Sequence, residues 1–212
     1  MAYPRTWAVV NTALVKPNEL LSWRELLNPK WKEKIIMMDP SITGQGGKLF
    51  STSVQTLGID YWREFALQKP VILRDVRMIN EAVAKGKYPV ALGPGSDVVE
   101  EFVRAGAHVA LRFPSDEAAL QTGHGSFALL SNAPHPNAAK IFVNWLLSKE
   151  GMTLYSKVHN VQSARLDVPV DFLTPDRMRE PGVKYLWPEV EDFLVGESKL
   201  YVAARELFGI GR

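Results

Sequence analysis

Ile35-Ile36-Met37-Met38-Asp39-Pro40-Ser41-Ile42-Thr43-Gly44-Gln45-Gly46-Gly47 carries an apolar run into a turn rich in Ser, Thr and Gly, and a helical pattern follows at Leu49, Phe50, Val54 and Leu57. The run reads as a strand and the later spacing as one helix face. A strand that feeds such a turn at a helix start leaves backbone N–H groups without partners. It sets hydroxyls beside them and aims the positive end of the helix dipole outward, an anion-binding arrangement. The same residues also describe an ordinary helix start capped by Ser41 or Thr43. Both readings stand at this level.

Outward from this stretch, short apolar strands alternate with helices. Trp7-Ala8-Val9-Val10-Asn11 reads as a buried strand, Ser22 caps a short helix over Trp23–Leu27, and Asn28-Pro29 ends it. Gly58 stops the first long helix and a second covers 59–67. Strands are expected at 70–73, 88–92 and 108–111, with helices led by Val76, Ile79 and Val83 and by Val98, Val99 and Phe102. This alternation predicts an α/β fold. The strand ending at Leu92 enters a second glycine-rich junction, Gly93-Pro94-Gly95-Ser96-Asp97. There Gly93 and Gly95 permit close approach to the backbone, Ser96 offers a hydroxyl and Asp97 is a candidate cap. Open α/β sheets bind ligands at the carboxyl ends of their strands, so the two junctions are candidates to face one ligand.

Past Asp116 the pattern changes. A strand is expected at 125–130. Pro136 opens a helix in which Ala138, Ile141, Phe142, Trp145 and Leu146 recur at helical spacing, Ser148 caps another through Tyr155, 163–169 is extended, and 200–208 is helical.

The chain of 212 residues has 46% hydrophobic and 23% charged residues, ordinary for a globular protein. A net charge of +2, with both signs interspersed, argues against a nucleic-acid surface. With no cysteine, disulfides, thiolate metal sites and a cysteine nucleophile are excluded. No run approaches the ~18 apolar residues of a membrane span, and the first fifteen residues do not form a signal peptide. The motif Gly44-Gln45-Gly46-Gly47-Lys48-Leu49 falls short of a phosphate-binding loop. It has Ile42 where glycine is needed and Leu49 where Ser or Thr is needed. His108, His124, His135 and His159 lack metal-ligand spacing, and His124 beside Ser126 makes no triad by adjacency. No enzyme chemistry, metal or cofactor is expected.

Several segments together resemble the extracellular solute-binding proteins of ABC transporters, in the iron(III)- and small-anion-binding branch. They are Ser22-Trp23-Arg24-Glu25-Leu26-Leu27-Asn28-Pro29-Lys30-Trp31-Lys32, Asp39-Pro40, Glu81-Ala82-Val83-Ala84-Lys85-Gly86-Lys87-Tyr88-Pro89-Val90, Asn132 through Lys140, and Leu146 through Gly151. The resemblance implies a type II periplasmic-binding fold: two α/β lobes that close by hinge motion on a solute, which an ABC permease then receives. It implies a periplasmic or extracellular location and a chain truncated at its N-terminus. On this reading 1–130 is the second lobe with its hinge strands, and 131–212 holds C-terminal helices of an incomplete first lobe. Self-association is expected, to cover the apolar stripe of 138–146. The family's anion-contacting turn falls on Ser41, Thr43 and Gly44, and its second-lobe helix region near Arg77, with Arg74 as the other candidate counter-charge. Gly93, Gly95 and Ser96 supply the second junction. Iron-binding members carry adjacent tyrosines where this chain has Gly93-Pro94-Gly95, so an anionic solute is expected rather than iron held by phenolates. The alternative class is a phosphate-handling enzyme or ligand-sensing domain built on the same junctions.

Overall fold

Four consecutive large apolar side chains are all buried only where a strand is covered on both faces, and β2 (Ile35–Met38) is buried throughout. The computed structural model describes residues 8–113, 127–179 and 191–211, without the side chains of 96, 97, 176 and 191–194. The chain divides into two units, Thr6–Ala119 with Val190–Arg212, and Met1–Arg5 with Leu120–Glu189.

In the larger unit, β1 (Ala8–Asn11), β2, β3 (Val71–Leu73), β4 (Val90–Leu92) and β5 (Val109–Arg112) form one mixed sheet in the order β3-β2-β4-β1-β5. Strand β2 runs parallel to β3 and β4, whereas β1 is antiparallel to both of its neighbours, β4 and β5. The two-residue period of a strand sends alternate side chains to opposite faces. Ile35, Met37, Val90 and Leu92 therefore meet Leu49, Phe50, Trp62 and Phe65 of α1 (Gln45–Leu57) and α2 (Ile59–Ala66). Ile36, Met38 and Ala91 meet Ile79, Val83 and Val99 of α3 (Val76–Ala84) and α4 (Ser96–Arg104) on the other face.

Local signals set most boundaries. The Ser22 hydroxyl accepts from the Glu25 N–H to start a 3-10 turn at Trp23–Leu27, where an α-helix is too long for the five residues before Asn28-Pro29. Helix α7 (Glu191–Phe208) packs on α1 and α2, with Phe208 against Phe50, Trp62 and Phe65. It belongs to the same unit as the sheet.

The smaller unit contains α5 (Pro136–Leu146) and α6 (Lys149–His159), the second capped by Ser148, whose hydroxyl accepts from the Gly151 N–H at 3.2 Å. Of the α5 stripe only Leu146 is buried. Ile141, Phe142 and Trp145 are 71%, 54% and 42% exposed. Two expectations are corrected here. Residues 127–130 have no strand pairing and their side chains are exposed, because a lone segment without a partner edge has no ladder to join; residues 125 and 126 lie outside the described residues. Residues 163–169 bend and turn rather than extend, since Arg165 closes a fork on Asp167 at 2.9 and 2.8 Å and reaches the Leu147 carbonyl at 3.0 Å.

Candidate functional site

The turn after β2 is organised by Asp39, which is almost fully buried. Its Oδ1 accepts from the Ser41 N–H at 2.8 Å and the Ser41 hydroxyl at 2.7 Å, and its Oδ2 accepts from Arg74 Nε at 2.9 Å. Burial alone raises the Asp39 pKa; the bonds from the Ser41 hydroxyl, the Ser41 N–H and Arg74 outweigh it and hold the carboxyl below its ordinary value. Ser41 is itself buried, with its proton committed to Asp39. It shapes the turn and does not cap the helix.

Neither Ser41 nor Thr43 caps α1. Gly44 holds the N-cap position at φ +134°, exposed and with no side-chain capping bond, and the first helical bond runs from the Lys48 N–H to the Gly44 carbonyl at 2.8 Å. The N–H groups of Gln45, Gly46 and Gly47 precede that bond and have no acceptor within the helix. At the second junction Gly95, not Asp97, holds the N-cap of α4, again with no side-chain capping bond. The side chains of Ser96 and Asp97 lie outside the description.

The two junctions touch. A Cβ added at Gly93, whose φ is +83°, would lie 3.2 Å from Met38 Cβ and 3.5 Å from Gly46 Cα, and one added at Gly95 would lie 2.9 Å from Gln45 Nε2. Both helices start at the carboxyl ends of adjacent parallel strands, β2 and β4. From there α1 leaves over one face of the sheet and α4 over the other. That is a topological switch point, the place where open α/β sheets leave a crevice for ligands. Two positive helix ends converge on it.

Of the two arginine candidates, Arg74 sits at this edge through its bond to Asp39, and with Asp39, Ile72, Leu73 and Phe208 it lines a cavity of about 560 Å3. Arg77 lies on α3, paired with Glu81 at 3.6 Å and Glu101 at 3.5 Å and set over the Phe102 ring. Thr43 is exposed, and Tyr201 of α7 lies over the start of α1, where a Cβ on Gly47 would come within 2.8 Å of its ring; burial and the nearby Glu197 push its phenol pKa up to about 12. The helical spacing of 200–208 marks α7 as a helix, but no local signal says which turn it lies against, so Tyr201 and Glu197 were beyond sequence reasoning. Among the described residues no three of His, Asp and Glu converge as a metal site; His124 and Ser126 lie outside them.

The pattern of the bacterial extracellular solute-binding proteins matches residues 3–157. The chain belongs to that family. A curated relative, an uncharacterized protein of Haemophilus influenzae, is 27% identical over 136 residues, which are 62% of this chain and 38% of that protein. Among solved structures, the periplasmic binding protein AfuA of Actinobacillus pleuropneumoniae, with fructose-6-phosphate bound, is 19% identical with a TM-score of 0.76, over 99% of this chain and 68% of that one. An ABC-transporter substrate-binding protein of Agrobacterium tumefaciens is 14% identical at 0.75, over 98% and 65%. Iron-bound HitA of Pseudomonas aeruginosa is 16% identical at 0.68, over 99% and 68%. These likenesses show the fold, that of type II periplasmic binding proteins. This solute-binding family member thus spans 38% of its curated relative and about two thirds of those solved chains.

Proposed function

We propose that this family member reversibly binds a small anionic solute, or a metal–anion complex, without chemical turnover, as the solute-binding component of an ABC importer acting outside the cytoplasmic membrane and delivering to a permease. The single observation that carries the reading is the pair of glycine-capped helix starts, at Gly44 and Gly95, set against each other at the carboxyl ends of β2 and β4. An anion there accepts from first-turn N–H groups of both helices and lies at two positive dipole ends. Gly93 keeps the turns close enough to act together, while Thr43 is exposed just before the first helix start and Ser96 is the first residue of α4. Arg74 supplies the counter-charge in preference to Arg77, because its bond to Asp39 ties it to the turn after β2, whereas Arg77 lies on α3 between Glu81 and Glu101. Ser41 holds the turn in shape through Asp39. The solved relative that carries a sugar phosphate, AfuA, supports the anionic class.

The test is a thermal-shift and amide-NMR titration with inorganic phosphate, phosphate esters and small carboxylates. The expected result is a concentration-dependent rise in Tm, approaching ~2.7 kcal/mol of stabilisation at a hundredfold excess over Kd, with amide shifts concentrated at Gly44, Gly46, Gly47 and Gly95. Anion titrations that move none of these amides overturn the reading.

A further inference from the structure

Resting on the anion site just proposed, the cavity beside Arg74 sets what else the solute must carry. The cavity exists because β3 is the edge strand of the sheet. Among the described residues no further strand covers its outer side, and the end of α7 forms the opposite wall. That wall is fixed by backbone. Gly209, at φ +64°, makes the left-handed turn that ends a helix, and the Ile210 N–H returns to the Arg205 carbonyl at 3.0 Å. One residue earlier, Phe208 is held by ring contacts to Phe50, Trp62 and Phe65. The cavity of about 560 Å3 between these walls is therefore built into the fold.

Its lining divides by chemistry. Ile72, Leu73, Phe208 and Ile210 are half-buried apolar walls, and the charged groups that line it are Asp39 and Arg74, bonded to each other. Asp39 commits both carboxylate oxygens, one to Ser41 and one to Arg74. Arg74 commits only Nε; among the described residues its two terminal nitrogens have no acceptor. A guanidinium carries five N–H donors, so four remain for an anion. Both residues also belong to the helix junction. Arg74 is tied by its bond to Asp39, and a Cβ on Gly46 would lie 2.5 Å from the Asp39 carbonyl oxygen.

We infer that the solute carries its anionic group on a short apolar substituent. The anion lies on the α1 and α4 N–H groups and Arg74, and the alkyl or aryl part lies in the cavity against Ile72, Phe208 and Ile210. A bare inorganic anion leaves these apolar walls in water, whereas an apolar group laid against them removes both surfaces from it. A polyhydroxylated substituent finds few partners along the same walls and gives up its hydration there.

A ligand series tests this: methyl, ethyl, propyl and butyl phosphate, titrated at pH 7 against the purified chain. Binding is followed by the amide shifts of Gly44, Gly46, Gly47 and Gly95 and by the methyl shifts of Ile72 and Ile210. A fully buried methylene is worth about fourfold in affinity, and one in a groove open on one side roughly half that free energy, or about twofold. Butyl phosphate is thus expected to bind about eightfold more tightly than methyl phosphate, and to move the two isoleucine methyls that methyl phosphate leaves in place. Ile210→Ser strips one apolar wall and is expected to cut the preference to about twofold. A purely structural effect would weaken both esters alike and leave the preference intact. Ile210→Trp fills the cavity from the same position and is expected to abolish the preference. Equal binding of the four esters to the wild type, or a preference that survives both Ile210 variants, overturns the inference and leaves the anion site standing. Failure of every ester to move the glycine amides overturns the anion site and the inference together.

Discussion

Gly46→Ala is expected to disrupt the junction at the end of β2. A Cβ built at Gly46 lies 2.5 Å from the Asp39 carbonyl oxygen, 2.7 Å from the Met38 carbonyl carbon and 2.7 Å from Met38 Cβ. Carbon contacts are normally ~3.5–4.0 Å, so the helix start and the strand end must separate by about 1 Å to admit the methyl. Two of the three obstructing atoms are backbone, which no rotamer change moves aside. The same shift meets the second junction, because Gly93 is packed against the Gly46 Cα. Overpacking of this kind costs ~1–3 kcal/mol, and for a chain of this length that is roughly 2–4 °C in Tm per kcal/mol. Urea denaturation followed by tryptophan fluorescence measures it, since Trp23, Trp31 and Trp62 are buried in the same unit. Gly196→Ala is the control. Gly196 lies within α7 and its added Cβ meets nothing within 4 Å, so the better helix former is expected to raise stability by ~0.5–1 kcal/mol. If Gly46→Ala unfolds within about 0.5 kcal/mol of the wild type, as an unremarkable surface change would, the close approach of α1 to β2 is refuted.

Asp39→Ala leaves the buried Ser41 N–H and hydroxyl without their acceptor and is expected to cost ~2–3 kcal/mol in equilibrium unfolding. The pH dependence follows from the same contacts. Asp39 is more acidic folded than unfolded, so as pH falls the unfolded chain takes up the proton first, and the stabilisation present above the ordinary aspartate range is lost as pH drops through the lower folded value. Acid titration of unfolding free energy in the wild type and in Asp39→Ala checks this, the difference between them shrinking only in that acid window. Ultraviolet titration of the tyrosines is expected to show one phenol, Tyr201, ionising near pH 12, held up first by burial and then by Glu197, and moving only part of the way toward the ordinary range in Glu197→Ala. Arg77→Ala, at an exposed guanidinium, is expected to change stability by no more than ~1 kcal/mol, and less in high salt, with anion-induced shifts at Gly44 unchanged. Light scattering is expected to show self-association through the exposed Ile141, Phe142 and Trp145 face of α5, lost in Ile141→Glu; a monomer in the wild type refutes it.

The order of strands and helices was legible because its signals are local. The unbroken apolar run Ile35–Met38 requires cover on both sides, and Ser22, Asn28-Pro29, Gly58 and Ser148 mark ends by chemistry that needs only a few neighbouring residues. The Ser/Thr/Gly turn was legible as a candidate anion site for the same reason. Its internal division of labour was not. Whether Ser41 points to a ligand or to Asp39, and whether a hydroxyl or Gly44 stands at the helix start, depends on competing hydrogen bonds of similar strength that sequence spacing does not rank. The strand expected at 125–130 also failed over its described part, 127–130, since a strand exists only where a partner edge is present.

By itself, then, the sequence determined an α/β alternation with two strand-turn-helix junctions and an amphipathic α5, through periodicity and caps that act over one or two turns of chain. Only the tertiary structure decided that β1 lies antiparallel between β4 and β5, that the two junctions meet at Gly46, Gly93 and Gly95, and that α7 sets Tyr201 over Gly47 and Glu197 on Ser51 of α1. Those contacts join residues far apart along the chain. They are selected by which surfaces bury together, a choice made by the whole fold and carried by no short stretch of it.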